Sequence, residues 1–437
     1  MKRFFLVFVL ILNANAYLHA QNQDAPLTAD VKLKVVDGLS AALKKNYVFV
    51  DTAAKMGAYI KSKLKKGDYN SIDKPVDFAI TLNTDLHAVY NDLHLSVFYN
   101  PPFEMSLLDT SKADAAKMEQ QDFNAAKRDN FAFSKLEVLS NNIGYIRFTR
   151  FYSVSDESKA TVNSAFSFLK NTNALIIDLR YNSGGDPEMV KYVCSYFFKE
   201  KTHINDLYER RINKTTAYWT EPLNYSNTFS AVPVYILVSK GTFSGAEEFA
   251  YDLQNQHRAT IIGETTGGGA HPVEPEPLGN GFVGNIPFAR AINPVSKKNW
   301  EAVGVMPDIK VKADSALDYA TLSYNDYQIN NSKDSSTIKA AKWARNFLNA
   351  KFHPATVNQA TLMTYKGDYN GVVLSLEGGN LYITWGGSRK DRLTPISQTA
   401  FTNQDRLIEF NKNADGKVDE TVVTLDNGYI ARFKRKQ

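Results

Sequence analysis

Cysteine is almost absent from this chain: Cys194 stands alone among 437 residues. No disulfide can therefore form within it. Cys194 lies in a pattern from Met189 to Phe198 that reads as a buried helix, so a packed thiol is expected there and not a nucleophile. Beyond the first dozen residues no apolar run approaches membrane-spanning length, which argues against stable membrane insertion. A basic stripe is also missing. Lysine and arginine total 51 against 46 acidic residues, and the net charge of +5 is scattered, so nucleic acid is a poor partner. There is no internal repeat. Histidine is scarce, with seven in all, so candidates for an imidazole base are few.

The first twenty residues read as a signal peptide. Lys2 and Arg3 precede an apolar run from Phe4 to Leu12, and small residues follow around Ala14–Ala16 and Ala20. The run is too short for a spanning helix. An exported, periplasmic or extracellular protein is expected. Residues 25–104 carry helical apolar spacing, with Phe78, Leu82, Leu86 and Val89 on one stripe, and predict a helical N-terminal domain. The stretch 105–130 is polar and reads as a connector, too short for an inserted peptide-binding domain of ordinary size. Residues 131–315 alternate strand and helix patterns and predict an α/β core with a mostly parallel sheet. A helical linker is expected over 316–355. Short strands separated by Gly, Asn and Asp turns predict a small antiparallel β-barrel or sandwich over 356–437.

Within the α/β core, Val234–Val238 is a short apolar run, and a helix pattern starts just after Ser244. A side chain at such a turn lies at the carboxyl edge of the sheet, beside free helix N–H groups. That suits an activated serine. Ser244 could equally be a plain helix cap, with Glu247 completing a capping box. The Asn182-Ser-Gly-Gly185 loop also follows a buried strand, and its glycines let backbone N–H groups approach a ligand. With Gly184 and Gly185, the N–H of Gly245 could hold an oxyanion. Two histidines lie in loops that could serve Ser244: His94 and His271. Spacing alone does not choose between them. Glu247, Glu264 and Glu301 are the candidate acids, and each also has an ordinary structural reading.

Four segments in order resemble the tail-specific, C-terminal processing serine peptidases. They are Ala174-Leu-Ile-Ile-Asp-Leu-Arg-Tyr-Asn-Ser-Gly-Gly185, Thr242-Phe-Ser-Gly-Ala-Glu-Glu-Phe-Ala250, Gly263-Glu-Thr-Thr-Gly-Gly-Gly-Ala-His-Pro272 and Trp300-Glu-Ala-Val-Gly-Val-Met-Pro-Asp308. The branch resembled is that of the interphotoreceptor retinoid-binding protein repeats and the tricorn core. The resemblance covers about residues 30–315. It implies a ClpP/crotonase-like core, Ser244 as nucleophile, and oxyanion donors from Gly184, Gly185 and Gly245. The lysine base of the processing peptidases is replaced here by Thr265. The tricorn-like arrangement instead implies His94 as base and Glu301 as its orienter, with Glu247, Glu264 and His271 left to supporting or substrate-loop roles. The extra serine beside the tricorn histidine is replaced by Leu93. The implied reaction is hydrolysis of a peptide or protein substrate through an acyl-enzyme, as an endopeptidase or a carboxyl-terminal processing peptidase, without metal or cofactor. The same resemblance admits a non-catalytic module that binds a hydrophobic ligand or peptide.

Overall fold

The computed structural model describes residues 27–108, 112–223, 228–386, 389–403, 406–425 and 429–436. The expected signal peptide lies outside the described residues. The chain divides into two compact units, residues 1–316 and 317–437.

The first unit opens with α1 (Ala29–Asn46), α2 (Val50–Lys66) and α3 (Pro75–Val89). Thr28 caps α1 through its Oγ1, and Gly67 ends α2 in the left-handed conformation at φ 83°. Pro75 starts α3, where its missing N–H costs nothing. A turn at Leu93 and His94 leads into β1 (Ser96–Tyr99). Then come α4 (Pro101–Leu108) and α5 (Lys112–Arg128), so the polar stretch expected as a connector is largely helical.

The next segment contains β2 (Phe133–Leu139), β3 (Ile143–Phe148), α6 (Asp156–Phe168), β4 (Ala174–Asp178), α7 (Pro187–Cys194), β5 (His203–Glu209), β6 (Lys214–Trp219), β7 (Val234–Val238), α8 (Gly245–Asn255) and β8 (Thr260–Gly263). It closes with β9 (Val273–Gly279), β10 (Phe282–Pro287), β11 (Ala289–Ile292) and β12 (Ile309–Lys310). The main sheet has the order β12-β8-β7-β4-β3-β2. All its neighbours run parallel except β2, which pairs antiparallel with β3 at the edge. Every residue of β4 and β7 is buried, as unbroken apolar runs in a sheet covered on both faces require. Cys194 is buried in the same core, where burial pushes its thiol up and out of reach of nucleophilic chemistry.

The N-terminal helices do not close a core among themselves. Leu278, Phe282 and Ile286, from β9 and β10, pack into the cluster made by Val35, Leu39, Met56, Phe78 and Leu82. β1 joins this hairpin in an antiparallel sheet of order β1-β10-β9, with Ser96 opposite Asn285. A third sheet, β11-β5-β6, is antiparallel too.

The second unit takes in most of α9 (Ala316–Asn331), then α10 (Ser335–Phe352), α11 (Gln359–Tyr365) and two antiparallel sheets. One sheet has four strands and the other five, and both feed one core around Leu374, Ile383, Phe401 and Ile408. Among the described residues, no helix of either unit is long and apolar enough to cross a membrane.

Candidate active site

Ser244 occupies the turn between β7 and α8. The turn is fastened by Thr242, whose Oγ1 accepts from Ser239 N–H at 2.9 Å and donates to Leu179 C=O at 2.8 Å. Ser244 itself is held at φ 54° and ψ −124°, a strained conformation for a residue with a side chain. The strain, of roughly 1–3 kcal/mol, places its hydroxyl clear of the helix. Ser244 Oγ lies 3.1 Å from His94 Nε2, joining residues 150 positions apart.

His94 reaches this position through the sheet that β1 forms with β10. Asp92 shapes the turn, with its Oδ1 accepting from His94 N–H at 3.1 Å. The His94 ring lies 4.6 Å, centroid to centroid, from the Phe243 ring. It is buried, and burial pushes its pKa down to about 4. His94 is therefore neutral across the physiological range and can accept a proton. Its Nδ1 has no hydrogen-bond partner among the described residues.

Glu247 holds the Ser244 turn against the glycine-rich loop after β8. Its carboxylate accepts from Ser244 N–H at 2.9 Å, Gly268 N–H at 2.7 Å, Gly269 N–H at 2.9 Å and the Thr266 hydroxyl. Burial pushes its pKa up to about 7 against the pull of those four donors. Ser244 N–H on Glu247 is the backbone half of a capping box, so the cap and the exposed hydroxyl coexist at one residue.

His271 does not reach Ser244. Its Nδ1 lies 2.8 Å from Asp92 Oδ2 and 3.3 Å from Glu301 Oε2. Asp92 Oδ2 also accepts from the Tyr47 hydroxyl at 3.0 Å. Burial works against the Asp92 charge, but the His271 contact and the Tyr47 hydroxyl hold its pKa below the usual value. Glu301 Oε2 accepts from Ala270 N–H at 2.6 Å, while Oε1 is buried without a partner. Burial, and then the Asp92 charge, push Glu301 above the ordinary carboxylate range.

Ligand atoms of Asp92, His94 and Glu301 lie within 4.8 Å of one another. His94 Nε2 faces Ser244, which leaves Nδ1 as the nitrogen available to Glu301. Asp92 Oδ1 is bonded to His94 N–H, and Oδ2 to Tyr47 and His271. The donors left over, His94 Nδ1 and Glu301 Oε1, number fewer than the three protein ligands of a catalytic zinc, so we assign no metal to this set.

The expected oxyanion loop sits beside Ser244, with one change. Gly184 N–H is donated to Asn182 Oδ1 at 2.8 Å, so it is engaged within the loop. Among the described residues, no acceptor is bonded to the N–H of Gly185 or of Gly245. Gly184 serves by shape: at φ 94°, a Cβ on it would sit 2.6 Å from Gly245 N and 2.8 Å from Ser244 Cβ. Glu264 is the one expected acid that does not join the site. It is half-buried after β8 and has no side-chain hydrogen bond among the described residues.

Sequence reasoning missed Asp92, Tyr47 and Thr266. An aspartate two positions before the loop histidine was the available signal for Asp92. No sequence pattern pointed to Tyr47.

Residues 142–311 match the model of peptidase family S41. Residues 27–131 match the N-terminal domain of Peptidase_S41 in eukaryotic IRBP. The chain is 33% identical over 172 residues to the chloroplastic carboxyl-terminal-processing peptidase 2 of Arabidopsis thaliana, covering 39% of this chain and 32% of that protein. It is 24% identical over 180 residues to the carboxy-terminal processing protease CtpB of Bacillus subtilis, covering 41% and 36%. The chain thus spans about a third of the length of these curated relatives. The crystal structure of the tricorn protease overlays on 69% of this chain and 37% of that chain, with 14% identity and a TM-score of 0.44.

Proposed function

We propose, from this chain's membership of peptidase family S41, that it is a serine peptidase in which Ser244 is the nucleophile and His94 the general base. The observation that carries this is the 3.1 Å contact between Ser244 Oγ and His94 Nε2. His94 takes the hydroxyl proton at Nε2 as Oγ attacks the peptide carbonyl. The N–H groups of Gly185 and Gly245 receive the developing oxyanion, a contribution of about 3 kcal/mol per donor. His94 then protonates the leaving amine, and water releases the acyl group by the reverse proton route.

Glu301 orients His94. For Nε2 to accept a proton, the resting imidazole must carry its hydrogen on Nδ1. That hydrogen needs an acceptor; Glu301 Oε1 is a buried acceptor without a partner, and the Glu301 carboxylate comes within 4.8 Å of His94, so a small approach would join them. The substrate is a peptide or protein, cleaved internally or near its carboxyl terminus. Export to the periplasm or the exterior follows from the pattern at residues 1–20. A ligand-holding module would have no need of a strained serine against a neutral imidazole.

The test is labelling of the purified full chain with a fluorophosphonate probe. Wild type should label, and Ser244→Ala and His94→Ala should not. Undiminished labelling of Ser244→Ala would sink the assignment.

A further inference from the structure

β2 closes the main sheet at one edge, and among the described residues no strand pairs with its outer side. An unpaired edge offers a row of backbone donors and acceptors to any strand that reaches it. β2 is also bare on one face. Leu136 stands opposite Ile146 of the buried core, so its side chain points to the α6 side of the sheet, yet it is 38% exposed. Val138, two positions on and so on the same face, is 48% exposed. Phe168, at the end of α6, is 60% exposed. α6 stops short of covering the strand, and an open groove between them is lined by Phe133, Leu136, Ala160, Ala165 and Phe168.

The other face of β2 carries charge. Lys135 and Glu137 point the same way and bridge each other at 2.5 Å. Their order decides what can pair with the edge. A lone lysine guards an edge, because a second copy would bring lysine against lysine. Here the outcome depends on register. In an antiparallel pair related by a two-fold axis normal to the sheet and centred on Leu136, Lys135 stands opposite the second copy's Glu137, and Glu137 opposite its Lys135. Centring the axis on Lys135 or on Glu137 would instead set like charges face to face, which destabilises a strand pair. Leu136 is also the midpoint of Phe133–Leu139, so the charge-matched register is the one that pairs the whole strand. On the groove side that register brings Leu136 against Leu136 and Val138 against Ser134, beside Phe168 of each copy. We propose that β2 is a self-complementary docking edge through which two copies of this chain form a symmetric dimer, joining their six-stranded sheets into one. One strand edge and a narrow apolar strip make a small interface, so the dimer should dissociate in the micromolar range.

The test is sedimentation equilibrium of the purified full chain across that range, with a thermal melt for each variant. Wild type should approach twice the monomer mass as concentration rises. Lys135→Glu alone and Glu137→Lys alone each oppose like charges at two places in the dimer, and each should weaken dimerisation by roughly tenfold or more. Both side chains are solvent-facing, so the melts should stay close to wild type. The double variant, Lys135→Glu with Glu137→Lys, restores opposite charges and should dimerise within about threefold of wild type. Mixing the two single variants should give the mixed dimer in preference to either self-dimer. A wild type that stays monomeric would overturn the proposal, whether the edge then stays bare or accepts a strand of another protein. So would single variants that dimerise like wild type, or a double variant that stays as weak as the single ones.

Discussion

Replacing Gly269 with alanine should disable the site without removing any group that reacts. Gly269 does not lie in the left-handed region, so alanine meets no backbone strain there. The conflict is with side chains. An added Cβ would stand 2.3 Å from Phe243 Cζ and 2.5 Å from His94 Cε1. Carbon atoms rest at about 3.5–4.0 Å, so something must move by about 1 Å or more. The backbone of residue 269 is poorly placed to yield: its N–H is bonded to Glu247 and its C=O accepts from Trp300 Nε1 at 2.7 Å. The two rings must retreat instead. A shift of about 1 Å would stretch the 3.1 Å contact between His94 and Ser244 beyond hydrogen-bond reach. Misplacement on that scale costs roughly a hundredfold in rate. Overpacking should cost about 1–3 kcal/mol of stability, leaving the unit folded. The assay is the fluorophosphonate labelling rate beside a thermal melt. A rate within twofold of wild type in a folded Gly269→Ala variant would refute the idea that this backbone sets the His94 position.

Labelling should depend on pH through Glu301 more than through His94. His94, pushed down to about 4 by burial, contributes an acid limb only where it protonates, below about pH 5. Glu301 is raised, so labelling should climb with pH as its proton leaves, at a pH above histidine's ordinary value of about 6.5. In Glu301→Gln that limb should vanish and the maximal rate fall by roughly 10³–10⁴. A wild-type limb near pH 4 would show that Glu301 ionisation is not needed. Glu247→Gln leaves one carbonyl oxygen for four donors and should destabilise by about 1–3 kcal/mol while slowing labelling; an unchanged melt would contradict this network. Arg180 grips the fully buried Asp178 with Nε at 2.8 Å and Nη2 at 2.6 Å, so Arg180→Met strands a buried charge at a cost of about 3–5 kcal/mol. A melting temperature lowered by less than a few degrees would count against that pairing.

The parts of the site that sit at strand ends were legible in the sequence, because the signal is local. An apolar run, a glycine and a helix pattern put Ser244 and the Gly184–Gly185 loop at the carboxyl edge of the sheet. The choice between His94 and His271 was not local. It depends on β1 pairing with β10 across 189 positions, as in the 3.0 Å bond from Asn285 to Ser96 Oγ. No periodicity encodes that register. Tyr47 was illegible for a similar reason, and the local signal for Asp92 was ambiguous. An aspartate near a helix end reads as a cap, and a tyrosine after a helix reads as core. The N-terminal region looked self-sufficient because its stripes are apolar, yet Leu278, Phe282 and Ile286 complete its core from a hairpin far along the chain. Gly184 was expected as a donor because its glycine pair was visible, but the Asn182 side chain that takes its N–H was not placed by any pattern.

These separate failures share a cause, which is that one loop registers Ser244, His94 and Glu301 together. Gly268 and Gly269 give their N–H groups to Glu247 on α8. Gly269 C=O accepts from Trp300, and Ala270 N–H donates to the adjacent Glu301. Asp92 Oδ2 accepts from His271 Nδ1, and its other oxygen caps the turn of His94. Four consecutive residues thus tie the turn of Ser244, the turn of His94 and the segment of Glu301 to one backbone. Such a loop must be small where rings pass over it and polar where carboxylates meet it. Its composition follows from that double demand, with glycine at 267, 268 and 269 and histidine at 271. The proposed nucleophile, base and orienting acid come from three distant stretches of chain, yet a displacement of the 266–271 loop would misplace them together. Coupling between substitutions here should therefore be strongly non-additive, as expected of side chains that share one support.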